Sequence, residues 1–178
     1  TTVTINALPV VAAITGTTSV CEGATTTLAS TTTGGVWSTA NTATATINST
    51  TGVVTGVAAG TTTMTYTVTN ANGCTSSVST ALVVNAIPQV AAISGTTEVC
   101  VGLTTALANA TASGVWTSSN TAVATIDASG VVTGVAAGST TITYTVTTNG
   151  CTANAQATVN VNALPVLAAI GGTMNACI

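Results

Sequence analysis

The sequence predicts an all-β protein in which a small antiparallel Greek-key sandwich is repeated in tandem. Three observations lead to this prediction. The nine residues from Gly52 to Gly60, GVVTGVAAG, return letter for letter from Gly130 to Gly138. After each copy, Thr alternates with larger residues (63–69 and 141–147), and an alternation of period two is typical of a strand with one buried face. The many Thr and Val residues also favour strands over helices.

Each repeat opens with an Asn-Ala-Leu-Pro or Asn-Ala-Ile-Pro tetrapeptide, at Asn6, Asn85 and Asn162, so the period is 77 to 79 residues. Such a period is typical of whole small domains, because solenoid repeats usually span about 20 to 50 residues. We expect a segment of a longer continuous array, with strand donation between separate subunits as the alternative. The predicted divisions are the last strand of a preceding repeat (1–5), repeat 1 (6–84), repeat 2 (85–161) and the start of an incomplete third repeat (162–178).

Seven short strands separated by turn residues are expected in repeat 1, which favours a Greek-key sandwich. They lie near residues 10–14, 24–30, 35–39, 43–47, 53–59, 62–69 and 76–84. Alternation assigns a core to each repeat. In repeat 1 the expected core is Ile14, Leu28, Trp37, Ala45, Ile47, Val53, Val57, Met64, Tyr66, Val68, Val78, Leu82 and Val84. In repeat 2 it is Ile93, Leu107, Trp116, Ala124, Ile126, Val131, Val135, Ile142, Tyr144, Val146, Ala155, Val159 and Val161.

The five cysteines occupy two positions of the repeat. Pairing within each repeat predicts a Cys21–Cys74 and a Cys100–Cys151 disulfide, and it leaves Cys177 unpaired in this sequence. Closing a loop of this size contributes about 4 kcal/mol in the chain-entropy model, which matters for so small a core. The wide spacing, with no Cys-x-x-Cys and no accompanying His, favours structural cysteines over metal or redox sites. Disulfides in turn indicate an oxidising, extracytoplasmic location.

The composition lacks most of the side chains that catalysis and metal binding require. The chain has no Lys, Arg or His, and its three acids, Glu22, Glu98 and Asp127, are far apart. Without an imidazole, a lysine or a pair of carboxylates we expect no enzyme, no cofactor and no metal site. A net charge of -3 gives nucleic acid and anionic membranes no attraction. The apolar runs are far shorter than the roughly 20 residues of a membrane-spanning helix, so no membrane insertion is expected in this segment.

Two kinds of glycine-containing stretch have specific predicted roles. Asn72-Gly73 and Asn149-Gly150 predict type I′ hairpin turns, because both central residues of that turn need a positive φ. GVVTGVAAG lacks the Lys-Ser/Thr ending of a phosphate loop, so its glycines are interpreted as structural. Gly56 and Gly134 are expected at a bulge or a close backbone approach.

Several stretches of the chain resemble a known family. They are Gly35-Val36-Trp37-Ser38, residues 43–47, residues 51–60 and Thr65-Tyr66-Thr67-Val68, with counterparts between Gly114 and Val146. They are similar to the group 2 bacterial immunoglobulin-like domains of invasin and intimin-type adhesins and of long bacterial surface proteins. The resemblance covers both complete repeats and implies tandem immunoglobulin-like sandwiches. The Asn-Gly-Cys-Thr hairpin resembles repeats of giant secreted surface proteins of Bacteroidota-type bacteria, including gliding adhesins.

The function expected from these features is a structural stalk or fibre segment of a long extracellular repeat protein, on the bacterial surface or in a secreted filament. The expected partners are neighbouring repeats of the same chain, further copies in filaments or bundles, and glycans as a further candidate. Self-association is expected because the charges that discourage edge-to-edge strand pairing are missing. Two alternatives are a domain that itself binds a surface or carbohydrate, and a phage decoration domain.

Overall fold

The computed structural model describes residues 3 to 167 and residue 171, and these residues contain sixteen β-strands and no helix. Within this part of the chain, no helix is long and apolar enough to cross a membrane. The chain forms two compact units. Unit 1 comprises the residues up to Pro88 together with Thr147–Thr152, and unit 2 comprises Gln89–Val146 and the residues from Ala153 onward. A six-residue segment of repeat 2 therefore belongs to unit 1.

Unit 1 is a sandwich of two four-stranded sheets. Its strands are β1 (Thr15–Gly16), β2 (Ser19–Cys21), β3 (Thr25–Ala29), β4 (Val36–Thr39), β5 (Ala45–Ile47), β6 (Val53–Gly56), β7 (Gly60–Thr69) and β8 (Thr75–Asn85). One sheet has the order β1-β3-β6-β5 and the other β2-β8-β7-β4. All neighbours are antiparallel except β2 and β8, which run parallel. The chain thus forms an all-β immunoglobulin-like sandwich, as the sequence predicts.

Unit 2 repeats the same arrangement. Its strands are β9 (Ser94–Gly95), β10 (Glu98–Cys100), β11 (Thr104–Ala108), β12 (Val115–Ser118), β13 (Ala124–Ile126), β14 (Val131–Gly134), β15 (Gly138–Thr148) and β16 (Cys151–Asn162). The sheet orders are β9-β11-β14-β13 and β10-β16-β15-β12. As in unit 1, the short strand that carries the first cysteine runs parallel to the last long strand. The two repeats therefore share one fold.

The strand expected at residues 10–14 is not formed. Ala12 bonds to side chains there instead of to a neighbouring strand: its N–H donates to Thr32 Oγ1 (2.9 Å), and its carbonyl accepts from Ser30 Oγ (3.1 Å). The edge of the sandwich is formed by β1 and β2, which belong to different sheets. Gly16, with a φ of 115°, lies where the chain leaves the first sheet. Two short strands, β1 and β2, thus replace the single strand expected there, so unit 1 has eight strands instead of the expected seven.

The core of unit 1 lies between its sheets and contains Val20, Leu28, Trp37, Ala45, Val54, Met64, Tyr66, Val68, Leu82 and Val84. The expected burial of Val53 and Val57 is wrong, because these side chains are 38% and 50% exposed while Val54 is fully buried. The same shift occurs in unit 2, where Val132 is buried and Val135 is exposed. Two adjacent valines fit either face of a strand, so alternation alone could not decide between them.

The unit 2 core contains Val99, Leu107, Ala124, Val132, Ile142, Val159 and Val161. Tyr144 and Val146 are also buried, and Trp116 is half-buried and packs against this core. Alternation missed Val20 and Val99, which lie in β2 and β10, because no strand was expected at those positions.

Candidate functional site

The disulfide of unit 1 joins Cys21 to Cys151, with the two Cα atoms 5.7 Å apart. The predicted pairings within each repeat are therefore wrong: Cys21 is not bonded to Cys74, and Cys151 is not bonded to Cys100. Cys74 and Cys100 carry free thiols. Cys177 lies outside the described residues. The bond covalently connects repeat 1 to repeat 2.

The length of β8 explains why Cys21 and Cys74 cannot meet. Cys21 is opposite Asn85 in the parallel β2–β8 pair, whereas Cys74 directly precedes Thr75 at the other end of β8. A strand rises about 3.3 Å per residue, so the two cysteines are separated by about 35 Å along the sheet. A disulfide requires Cα atoms within about 7 Å. The pairing within one repeat is therefore excluded by the strand that connects its ends.

The hairpin tip Thr147–Thr152 brings Cys151 to Cys21. The carbonyl oxygen of Asn85 lies 3.9 Å from Cys151 Sγ. The Asn85 side chain also fixes the tip, because its Nδ2 donates to the Asn149 carbonyl (3.2 Å) and to Ser19 Oγ (2.8 Å). One asparagine at the end of β8 therefore holds both the edge strand and the incoming tip.

The hairpin tip of repeat 1 is held in a similar way. Asn70 Nδ2 donates to the Ala7 carbonyl (2.8 Å), and Cys74 Sγ lies 4.0 Å from the Asn6 carbonyl oxygen. Asn6 and Asn85 are equivalent residues of the repeat. Each tip thus places its cysteine against the asparagine that opens its own repeat.

The two tips differ in their turns. Asn149 and Gly150 have φ values of 50° and 81°, so the type I′ prediction is confirmed there. It is wrong for Asn72-Gly73, because only Gly73 has a positive φ, of 79°. Five residues separate β7 from β8, and the Asn70 side chain closes this longer loop by accepting hydrogen bonds from two backbone N–H groups, at 3.1 and 3.0 Å.

The predicted aromatic core residues form one tilted pair in each unit, with interplanar angles of 42° and 53°. The ring centroids are 4.6 Å apart in both the Trp37–Tyr66 and the Trp116–Tyr144 pair. The Tyr66 hydroxyl donates to the Thr32 carbonyl (2.8 Å) and accepts from the Gly35 N–H (2.9 Å). Trp37 and Tyr66 are only 5% and 6% exposed, so their ring faces are used for packing.

Replacing Tyr66 with Phe should lower the free energy of unfolding of unit 1 by about 1 to 3 kcal/mol, because it leaves a partly buried backbone N–H and carbonyl without their partner. Chemical denaturation measures this loss. Thr69→Val, which removes an exposed hydroxyl from the same strand, is the control and should change stability by less than about 0.5 kcal/mol. Equal stability of the two variants would contradict this role of the hydroxyl.

The three acids each satisfy local hydrogen-bond donors. Glu22 and Asp127 accept from backbone N–H groups. Glu98 accepts from Asn160 Nδ2 at 2.7 Å and Asn162 Nδ2 at 2.9 Å, and these bonds, that from Asn160 first, lower the pKa of the Glu98 carboxyl. Among the described residues, no three His, Cys, Asp or Glu side chains come together as metal ligands. The acids therefore stabilise local structure.

One part of the chain is similar to a known family. Residues 84–159 match the family model described as bacterial Ig-like domain (group 2). The match covers β9 to β15 and most of β16, and unit 1 has the same sheet orders as this matched part of the chain. No curated protein is similar in sequence to the chain.

Solved structures similar to the chain include a polysaccharide-binding protein, an intimin fragment and part of an S-layer protein. A SusE-like surface-located polysaccharide-binding protein from Bacteroides thetaiotaomicron is 13% identical over 86% of this chain and 34% of its own, with a TM-score of 0.43. A C-terminal intimin fragment in complex with the intimin-binding domain of its receptor is 15% identical (86% and 65% covered, TM-score 0.45). Domains 4 and 5 of the S-layer protein SbsC are 20% identical (87% and 99%, TM-score 0.36). The chain thus spans about a third of the first of these proteins.

Proposed function

We propose that the chain is a tension-bearing stalk or fibre segment of a long extracellular repeat protein of the bacterial surface. The observation behind this proposal is the Cys21–Cys151 disulfide, which connects repeat 1 to repeat 2. A bond within one small domain stabilises that domain alone. A bond from one repeat to the next provides a covalent path along the array. The disulfide itself supports an oxidising, extracellular setting.

Tension applied through the ends of the chain follows the shortest covalent path. That path runs to Cys21, crosses the disulfide and continues from Cys151, so residues 22–150 carry no load while the bond is intact. Strands β3 to β8 and β9 to β15 lie within this bypassed segment. Of the described strands, only β1, β2 and β16 remain on the load-bearing path, so the bypassed strands cannot be extended while the bond is intact. A stalk between a cell and an attached object requires such a limit on its extension.

Single-molecule pulling tests the mechanical part of the proposal. With the disulfide intact, the released length should be shorter by about 450 Å than after reduction, because the cysteines are 130 residues apart and an extended chain spans at most about 3.3 to 3.6 Å per residue. A Cys74→Ser, Cys100→Ser double variant is the matched control and should show the same difference. Equal released lengths before and after reduction would contradict the proposal.

A binding comparison separates a stalk from an adhesive domain. Beads coated with the oxidised chain should be retained on glycan arrays and on abiotic surfaces no better than beads coated with an unrelated Ig-like sandwich. Retention on one glycan class above that control would favour the alternative of a carbohydrate-binding domain. The likeness to gliding adhesins and the alternative of a phage decoration domain stay predictions from the sequence.

A further inference from the structure

Both described hairpin tips place their cysteine against the asparagine that opens their own repeat. Cys151 Sγ lies 3.9 Å from the Asn85 carbonyl oxygen. Cys74 Sγ lies 4.0 Å from the Asn6 carbonyl oxygen. The contact is the same although the turns differ in length, so it is a property of the repeat and not of one turn.

The next repeat opens at Asn162, and Cys100 lies beside this residue. Cys100 is opposite Asn162 in the parallel β10–β16 pair. Cys21 is opposite Asn85 in the same way in the β2–β8 pair, and Cys21 forms its disulfide with a tip cysteine. In both units the backbone N–H of the residue after the cysteine donates to the carbonyl of this asparagine, at 3.0 Å. A tip that contacts Asn162 as the other tips contact their asparagines therefore brings its cysteine to Cys100.

A hollow of about 310 Å³ lies at this position on unit 2. Its lining includes three residues that correspond to the residues around the bound tip in unit 1, namely Glu98, Cys100 and Asn162. Their counterparts in unit 1 are Ser19, Cys21 and Asn85. Leu103 also lines the hollow and is 58% exposed, which adds an apolar contact surface.

Asn162 has the capacity to hold a tip as Asn85 does. Asn85 Nδ2 donates to Ser19 Oγ at 2.8 Å and to the tip carbonyl of Asn149 at 3.2 Å. Asn162 Nδ2 donates to Glu98 Oε2 at 2.9 Å, and no other described residue accepts a hydrogen bond from it. Because an amide nitrogen carries two hydrogens, one remains for a tip carbonyl.

We propose that the surface formed by Glu98, Cys100 and Asn162 binds the Asn-Gly-Cys-Thr hairpin tip of the repeat that opens at Asn162, and that Cys100 then forms a disulfide with the tip cysteine. This inference rests on the proposed stalk function, in which repeats continue along one chain. The tip and the surface are different patches, so the contact is head-to-tail and recurs along an array. Cys100 lies between Cys21 and Cys151 in sequence, so the loops closed by the two disulfides overlap.

The oxidation requires a disulfide reagent, for which oxidised glutathione serves. One thiolate attacks the glutathione disulfide, forming a mixed disulfide and releasing one reduced glutathione. The second thiolate then attacks the protein sulfur of this intermediate and releases the second reduced glutathione. Two thiols and one glutathione disulfide thus give one protein disulfide and two glutathione thiols, with two electrons transferred.

The experiment extends the full chain so that the repeat opening at Asn162 is complete. One extended chain carries a copy of residues 102–161 after Ile178, and a second carries a copy of residues 23–84 there. Both copies supply an Asn-Gly-Cys-Thr tip, so the test does not depend on the folding of one appended sequence.

Mass spectrometry of peptic digests identifies the partner of the copied tip cysteine after oxidation in a glutathione buffer. One exposed residue beside each copied tip is changed, Asn154→Gln or Ser77→Thr, so that its peptide has a distinct mass. The copied cysteine should be linked to Cys100 in both chains. A link to Cys177, which is pairing within one repeat, or to Cys74 as the main product would overturn the proposal.

A second measurement tests the contact without the covalent bond. Cys151→Ser in the copied tip removes the thiol, and the rate at which Cys100 is alkylated under native conditions is then compared with that of the chain without an extension. Alkylation should be slower by about fivefold or more, the factor that one net hydrogen bond provides. Cys74 should react at the same rate in both chains.

Two further variants of this extended chain test Asn162 itself. Asn162→Asp should remove most of the protection, because a carboxylate has no N–H to donate to the tip. Asn160→Asp is the matched control, since it places the same charge beside Glu98, and it should keep the protection. Equal protection in the two variants, or none in the extended chain, would contradict the proposed surface.

The stalk function is judged separately, because the pulling measurement depends on the Cys21–Cys151 bond and its control lacks Cys74 and Cys100.

Discussion

Replacing Cys21 with Ser should lower the free energy of unfolding of the chain, both units included, by about 5 kcal/mol. The disulfide closes a loop between residues 130 positions apart, and the chain-entropy model assigns about this value to a loop of that length. A small domain has a total stability of only about 5 to 15 kcal/mol, so the loss is large. Denaturation in guanidinium chloride under oxidising conditions measures it. Cys74→Ser is the control, because it removes a thiol that forms no disulfide.

The same substitution should release the tip Thr147–Thr152. The disulfide and the Asn85–Asn149 hydrogen bond both hold this segment in unit 1, and loss of the covalent bond leaves a single 3.2 Å hydrogen bond at that contact. Hydrogen exchange should therefore accelerate at the tip in Cys21→Ser but not in Cys74→Ser. Unchanged exchange together with unchanged stability would show that the Cys21–Cys151 bond has no structural role.

Replacing Val54 with Asp should prevent unit 1 from folding, whereas Val53→Asp should leave it folded. Val54 is fully buried in β6, between Thr26 of β3 and Ile47 of β5, and no cation is available in this chain to pair with a carboxylate there. Burying an unpaired charge costs several kcal/mol or more. Val53 is 38% exposed on the opposite face of the same strand, so its replacement remains in contact with water.

Hydrogen exchange across β6 to β8 measures the outcome for this pair of variants. Protection should be lost in Val54→Asp and kept in Val53→Asp. The reverse result would restore the strand orientation that was expected from the sequence. Because the two valines are adjacent and chemically identical, the pair isolates the direction in which the side chain points.

The strands with clear alternation were predictable from the sequence. Residues 62–69 and 76–84 correspond to β7 and β8, since Thr alternates there with residues such as Met64 and Leu82 that can point only inward. The Trp and Tyr residues of the two aromatic pairs were also predicted as core residues. The alternation did not predict which of Val53 and Val54 points into the core, because both side chains are apolar. The turn at Gly52, with a φ of 72°, sets the orientation of β6, and turn geometry cannot be read from alternation.

The disulfide could not be predicted because the spacing of cysteines shows which positions recur, but not which repeat provides the partner. Cys74 and Cys151 both follow an Asn-Gly pair, so their local sequences do not show which of the two is the partner of Cys21. The deciding fact is that β2 lies beside the end of β8, at Asn85, and not beside its start. That placement depends on the split of the first edge into β1 and β2, which the sequence pattern did not indicate.

The Cys21–Cys151 bond also determines what a single broken peptide bond does to the chain. The backbone from Cys21 to Cys151 and the disulfide together form a closed covalent ring. Cleavage at any one position between residues 21 and 151 opens this ring but leaves both ends attached to each other. Two cuts within the ring are needed to release a fragment, and even then the ends stay joined through the sulfur atoms. The ring therefore gives this part of the chain resistance to accidental scission that a linear string of domains does not have.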